Sequence, residues 1–301
     1  MATNQEETAT DEKETVTDRE GTVTDREGTV TDPEAFLRAF HDAHPAVTVQ
    51  AMAHGRAEGG RSSYEILRDR VAACDRVLDL GCGDGLLLEL LAERDGGSRR
   101  ELAGLDLSAE ELALASRRPG VDRADLRRGR AQQLPFRDGR FDGCVSHMAL
   151  MLMGEADRVA AELARVLEPG GTLAVVLGGG AAGGEACELF LRLAKPVFLA
   201  APAEQQIPRL GDPRLRTREG FDAVFRPAGF GPVEWETVRV DLTGPPDRIW
   251  GTVSTFYDLG PLDASVTADL RARFEAESAA MALPDGRIPC AMRMHVATAV
   301  R

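Results

Sequence analysis

Residues 76–88, Arg-Val-Leu-Asp-Leu-Gly-Cys-Gly-Asp-Gly-Leu-Leu-Leu, constrain this chain more than any other stretch, because an apolar run ends in alternating glycines that open directly into a second apolar run. The pattern predicts strand, tight turn and helix. Val77, Leu78 and Leu80 suit a buried parallel strand, the glycines allow backbone to approach a ligand without a Cβ, and a helix from about Leu86 leaves N–H groups unpaired at its start. Such a turn is expected to hold an anionic group.

The spacing separates two nucleotide-type readings. A dinucleotide fingerprint needs Gly-x-Gly-x-x-Gly or Ala, but Leu86 follows Gly81 and Gly83 at the third place and is too large for close helix–strand packing, which disfavours hydride chemistry. Further strands follow at α/β spacing. The second, 102–107, carries Asp106, an acid able to accept both ribose hydroxyls, and Ser108 with Glu111 reads as a capping box for the next helix. A third strand, 124–128, leads to Gly129-Arg130-Ala131-Gln132-Gln133-Leu134-Pro135-Phe136. A fourth, 141–146, leads to His147 and the methionine-rich segment 148–153. A helix over 160–167, a stop at Glu168-Pro169-Gly170-Gly171 and a fifth strand over 172–177 come next. Residues 233–242 and 292–300 supply the sixth and last strands.

The order Asp79-x-Gly81-x-Gly83-x-Gly85 resembles motif I of the class I S-adenosylmethionine-dependent methyltransferases, and Asp106 stands in the register of motif II. The Leu-Pro-Phe turn at 134–136 and Leu-x-Pro-Gly-Gly at 167–171 are similar to further family features. The resemblance covers roughly 61–242 plus the final strand, and several natural-product and quinone methyltransferases share it. It implies an α/β Rossmann-like fold: a seven-stranded, mainly parallel sheet with an antiparallel last strand and helical lid insertions. It also implies S-adenosyl-L-methionine as cofactor, with Asp79, Gly81, Cys82, Gly83, Asp106, Leu107, Ala131, Gln132 and Ser146 as its contacts and no metal. Many relatives place an Asp where this chain has Arg130, so the bond that Asp makes to the adenine amino group must come from elsewhere; the Ala131 N–H and the Gln132 amide suit the adenine edge. His147 lies at the carboxyl end of the sheet. It suits either general-base duty or packing on the cofactor. Arg61 and Tyr64 are lid residues by the same resemblance, or a plain surface arginine and a half-buried tyrosine.

The expected chemistry is displacement at a sulfonium methyl by an O, N or C atom of a small-molecule acceptor, in secondary metabolism. The motifs are cofactor motifs, so a protein of this fold that binds the cofactor without transferring its methyl stays open. No Asn- or Asp-Pro-Pro-aromatic signature of amino methylation on bases or Gln side chains is present.

At 301 residues and 43 % hydrophobic content the chain can bury one large α/β core. Its apolar runs fall far short of a membrane span and the first residues contain no apolar signal core, so no membrane association and a cytoplasmic location are expected. Five cysteines, at 74, 82, 144, 187 and 290, show no paired framework and read as free thiols. Of the net charge of −13, most sits in residues 1–34, where eleven acids face three bases. The remainder is mildly acidic, which disfavours nucleic acid as a partner. Residues 15–21 and 22–28 repeat Thr-Val-Thr-Asp-Arg-Glu-Gly. One apolar residue per repeat cannot form a coiled-coil seam, so 1–31 is expected to be a disordered acidic tail ahead of a methyltransferase domain at 32–301. Within that domain, lid helices are expected over 33–73, beginning at Asp32-Pro33-Glu34, with a small-residue loop from 44 to 60 holding His54 and Arg56. Residues 178–184 read as a hinge, and helical insertions are expected at about 185–228 and 245–288, with Trp250, Phe256 and Tyr257 on one helix. The sequence does not specify an oligomeric state.

Overall fold

A computed structural model describes residues 32–93 and 100–301; the repeats of the first 31 residues and the helix stop expected at 95–98 lie outside the described residues. Seven strands form one sheet: β1 (Arg76–Leu80), β2 (Glu101–Asp106), β3 (Asp125–Arg128), β4 (Phe141–His147), β5 (Leu167–Ala181), β6 (Glu234–Asp241) and β7 (Ala291–Val300). Their order is β3-β2-β1-β4-β5-β7-β6. β1 to β5 run parallel, and β7 is antiparallel to both β5 and β6. The chain winds outward from β1 through β2 to β3, then returns to the other side of β1 with β4. Ligands of open α/β sheets bind at such a reversal, beyond the carboxyl ends of the strands.

Alternation along the central strands divides the core between two faces. Val77, Val145, Ala174 and Val176 point to one, where they meet Leu67, Leu88 and Phe190. Leu78, Leu80, Cys144 and Val175 point to the other, against Leu163, Phe221 and Phe225. The first face is covered by α3 (Ser63–Arg70), α4 (Leu86–Ala92) and α7 (Ala186–Ala200), the second by α6 (Ala156–Val166) and α8 (Arg218–Phe225). Asp79 shares the side of Val77, which puts it under the first face at the open end of β1.

Local chemistry sets the helix starts. Asp32 accepts from the Glu34 N–H to cap α1 (Pro33–Ala43), and Ser62 with Glu65 closes a reciprocal capping box on α3. Four expectations need correction. Residues 47–52, read within a loop, form α2 (Val47–Met52). The Pro-Gly-Gly segment and most of the expected 178–184 hinge belong to β5, since Gly178 pairs with Met294 and Ala181 with Met292 on β7. Only half of the Ser108 and Glu111 box forms at α5 (Ala109–Ala115): Ser108 Oγ accepts from the Glu111 N–H, while the Glu111 carboxylate turns to His41 and Ala46. The helix expected from 246 ends early, as α9 (Pro246–Val253), before a separate turn at Tyr257–Leu259. That break sends Trp250 and Phe256 to Phe190 and turns Tyr257 towards Phe36 and Phe40 on α1. After it comes α10 (Ala264–Ala279).

Candidate active site

Two adjoining chambers open above the carboxyl ends of the parallel strands. One is lined by Tyr64, Asp79, Gly81, Cys82, Gly83 and His147 among others. The second is lined by Glu34, Leu107, Arg130, Ala131 and Gln132 among others. Both are bounded by His41, Gly81, Asp106, Ala149 and Leu152, so Asp106 stands at their junction.

The turn after β1 is built as its glycines suggest. Gly81, Gly83 and Gly85 all take positive φ, and a Cβ on Gly81 or Gly85 would lie 2.4 Å from Ala149 Cβ or 2.8 Å from Ala115 Cβ. Anion binding at this turn is nevertheless answered from within the protein. The Gly83 N–H donates to Asp106 Oδ2 at 2.9 Å, and the Ser108 N–H to its Oδ1 at 2.9 Å. Asp79, Asp84 and Glu111 add three more carboxylates to the same chamber, which therefore favours a cationic ligand.

Asp79 is 1 % exposed and neither of its carboxylate oxygens has a hydrogen-bond partner. Burial, then the nearby Asp106 and Asp84, hold its pKa well above the usual carboxylate range. Burial likewise raises Asp106 despite its two backbone donors. Asp84 is tied to Arg118, which also reaches Glu89 at 2.6 Å and so braces the turn from outside.

His147 sits under Tyr64, their rings stacked with centroids 3.7 Å apart. Its Nε2 is 2.8 Å from Ser63 Oγ, and its buried Nδ1 has no partner. Burial lowers its pKa to about 3. A ring kept neutral in this way is a weaker proton acceptor near neutrality than a solvated imidazole, and its stacking on Tyr64 fits the packing alternative. Ser146 stands apart from the chambers: fully buried, its hydroxyl donates to Leu80 O at 2.7 Å and accepts from the Leu150 N–H. Arg61 is an exposed partner of Asp69, at 3.0 Å, and lines neither chamber. His54 is pushed to lower pKa by burial, and Arg56 pairs its backbone with Asp241; both lie away from the chambers.

A link across the first chamber has no signal in the sequence. His41 Nδ1 lies 3.1 Å from Glu111 Oε1 and its Nε2 3.0 Å from the Tyr257 hydroxyl, while the Ala46 N–H donates to Glu111 Oε2 at 3.0 Å. One histidine thus joins α1, α5 and the turn after α9 across the chamber. In the second chamber, Glu34 of α1 accepts from Gln132 Nε2 at 2.8 Å and from Arg130. With Gln132 Nε2 also donating to Gly154 O, both of its N–H groups are engaged. Arg130 thus brings an acid of α1 to the wall of this chamber, and its own positive charge was the available signal for a partner of that kind.

The chamber that holds Asp79 meets a larger cleft, with Thr48, Met148, Leu152 and Tyr257 lining both. Met52, Met151, Ile207, Phe256 and Met292 make most of this cleft apolar.

A family profile described as a methyltransferase domain matches residues 78–175, which run from β1 into β5. The chain is 36 % identical over 125 residues to the methyltransferase GfsG of Streptomyces halstedii, covering 40 % of this chain and 44 % of that one. In that relative and in the matched quinone methyltransferases the chain spans less than half of their length. It is also 33 % identical over 243 residues to trans-aconitate 2-methyltransferase of Methylobacterium nodulans, covering 77 % of this chain and 89 % of that protein. The chain belongs to the class I S-adenosylmethionine-dependent methyltransferase family. Its fold is shared with the 4+2 cyclase SpnF at a TM-score of 0.52 and 21 % identity, over 88 % of this chain and 94 % of that one.

The residues present fit the family cofactor. S-adenosylmethionine carries an ammonium and a sulfonium at one end, the cation for which an acid-ringed chamber with an orphaned, buried Asp79 carboxylate is suited. Asp106, at the junction, retains lone pairs that could accept ribose hydroxyls, and Leu107 with Ala131 could supply apolar walls for an adenine. The described residues include no helix long and apolar enough to cross a membrane.

Proposed function

We propose that this protein methylates a small organic acceptor seated in the methionine-rich cleft, using S-adenosylmethionine held in the two chambers. The reading rests on one observation: the chamber that holds Asp79 opens into the cleft through walls both spaces share, at Thr48, Met148, Leu152 and Tyr257. In this assignment Asp79 pairs with the methionine ammonium, Asp106 holds the ribose, and Gln132 Oε1 with the Ala131 N–H meets the adenine edge. The cofactor supplies an electrophilic methyl and leaves as a neutral thioether. The chain aligns the acceptor and excludes water. His147 serves as a neutral platform beneath Tyr64, not as a base, so the acceptor atom arrives already nucleophilic. The acidic balance of the chain argues against a polyphosphate acceptor, and the names of its relatives support a natural-product, quinone or carboxylic-acid acceptor in secondary metabolism.

Incubation with methyl-labelled cofactor and a panel of such acceptors tests this reading. Labelled product together with S-adenosylhomocysteine is expected. Tight cofactor binding with no transfer to any acceptor would favour a cofactor-binding protein that does not methylate.

A further inference from the structure

The acceptor cleft is apolar on most sides, yet one segment brings cations to its rim. Residues 207–216 run across it, and Ile207, Arg209, Leu210 and Arg216 all line it. The segment is well anchored: the Leu215 side chain is 1 % exposed, and a Cβ on Gly211 would lie 2.0 Å from Met151 O, so this backbone packs directly on the cleft wall. Arg214, in the same short helical turn, is fully engaged, with Asp212 at 2.7 Å and Asp157 at 2.6 Å. Arg209 and Arg216 differ. Neither has an acidic or hydrogen-bonding partner among the described residues, and both are exposed. The one acid lining the cleft is Asp258, which lies half-buried, and burial lifts its pKa with no arginine acting on it. Two exposed arginines at the rim of an apolar cleft, with no counter-ion among the described residues, suit an anion that arrives with an apolar body.

Building on the proposed methyl transfer, we infer that the acceptor is an organic carboxylate, its carboxylate held by Arg209 and Arg216 and its carbon skeleton lying against Met52, Met148, Met151 and Met292. An arginine pair suits a carboxylate because the planar fork matches its two oxygens. Methionine side chains adapt to varied skeletons, so the segment selects for charge more strongly than for shape.

The test uses the full chain saturated with S-adenosylhomocysteine and titrated calorimetrically with 4-phenylbutyrate and with its neutral isostere 4-phenylbutyramide. The carboxylate is expected to bind at least about tenfold tighter, as loss of a charge-assisted hydrogen-bonded pair implies. The double variant Arg209→Gln and Arg216→Gln should abolish that preference while leaving S-adenosylhomocysteine affinity unchanged, since neither arginine lines a cofactor chamber. Arg209→Lys with Arg216→Lys should keep part of it. Equal binding of acid and amide, no binding of the acid, or a preference that survives in the Gln variant would each overturn the inference. S-adenosylhomocysteine failing to bind the unaltered chain would instead remove the underlying reading and this one with it.

Discussion

Asp79 and His147 carry opposite burial problems at one crevice. An Asp with no partner for either oxygen destabilises the cofactor-free protein, and its raised pKa gives the sign. The folded chain keeps this carboxyl protonated beyond the ordinary value of 3.8, so its contribution is present at low pH and lost as pH rises through the folded pKa. Asp79→Asn should therefore raise the melting temperature of the cofactor-free protein by about 3–8 °C at neutral pH, with little gain near pH 4. The same change should weaken S-adenosylmethionine binding by about 1–3 kcal/mol in calorimetry. A variant that is both less stable and unchanged in affinity would remove Asp79 from the role assigned here. His147 behaves in the other sense. Its pKa falls from 6.5 to about 3, so the stability it contributes is present above pH 6.5 and is lost as pH falls towards 3. His147→Gln should flatten that acid loss and keep kcat within a few-fold, with no change in the pH–rate profile. A drop of roughly 10²–10⁴ in kcat with cofactor affinity intact would restore the histidine as a base.

The elements that sequence made legible are those whose signals are local. β1, its glycine turn, β2 with Asp106 at its end, and the caps at Asp32 and Ser62 each follow from residues within a few positions of one another. α2 was not legible, because its support comes from elsewhere in the chain. Ala46 before it holds φ 63 without a side-chain cap, a conformation that costs an L-residue about 1–2 kcal/mol, and the Ala46 N–H is met by the Glu111 carboxylate from α5. The glycines of 178–180 misled for a related reason: composition reads as a hinge, but β7 pairs with Gly178 and Ala181 on either side of an irregularity at 179–180. Arg130 and Glu34, and the His41 link to Tyr257, are likewise pairings across long sequence separations. Glu111→Ala tests that long-range support. It should expose His41 and the Ala46 N–H together, and amide hydrogen exchange should accelerate across 33–52 while β1, β4 and β5 stay protected. Uniform acceleration through the sheet would show that Glu111 holds the whole core and not the lid.

Across the whole molecule, the open end of the sheet is where buried charge, missing hydrogen-bond partners and unfilled volume coincide. The core elsewhere is closed on both faces of the sheet. Folding therefore leaves several unfavourable terms there, among them both Asp79 oxygens and His147 Nδ1, and a ligand that answers them should stabilise the entire chain through mass action. At a cofactor concentration of about 100 times its Kd, binding to the folded form alone adds about 2.7 kcal/mol. For a domain of this size each kcal/mol corresponds to roughly 2–4 °C, so S-adenosylmethionine should raise the melting temperature by about 5–10 °C. NAD, whose pyrophosphate would face Asp79, Asp84, Asp106 and Glu111, should leave it unchanged, because four carboxylates around one chamber repel a dianion. S-adenosylhomocysteine lacks the sulfonium charge but keeps the ammonium, so it should retain most of the shift if Asp79 meets the ammonium. If Asp79 instead answers the sulfonium, the shift with S-adenosylhomocysteine should fall to that of the Asp79→Asn variant with S-adenosylmethionine. Comparing these two melting shifts side by side assigns the orphaned carboxylate to one end of the ligand or the other.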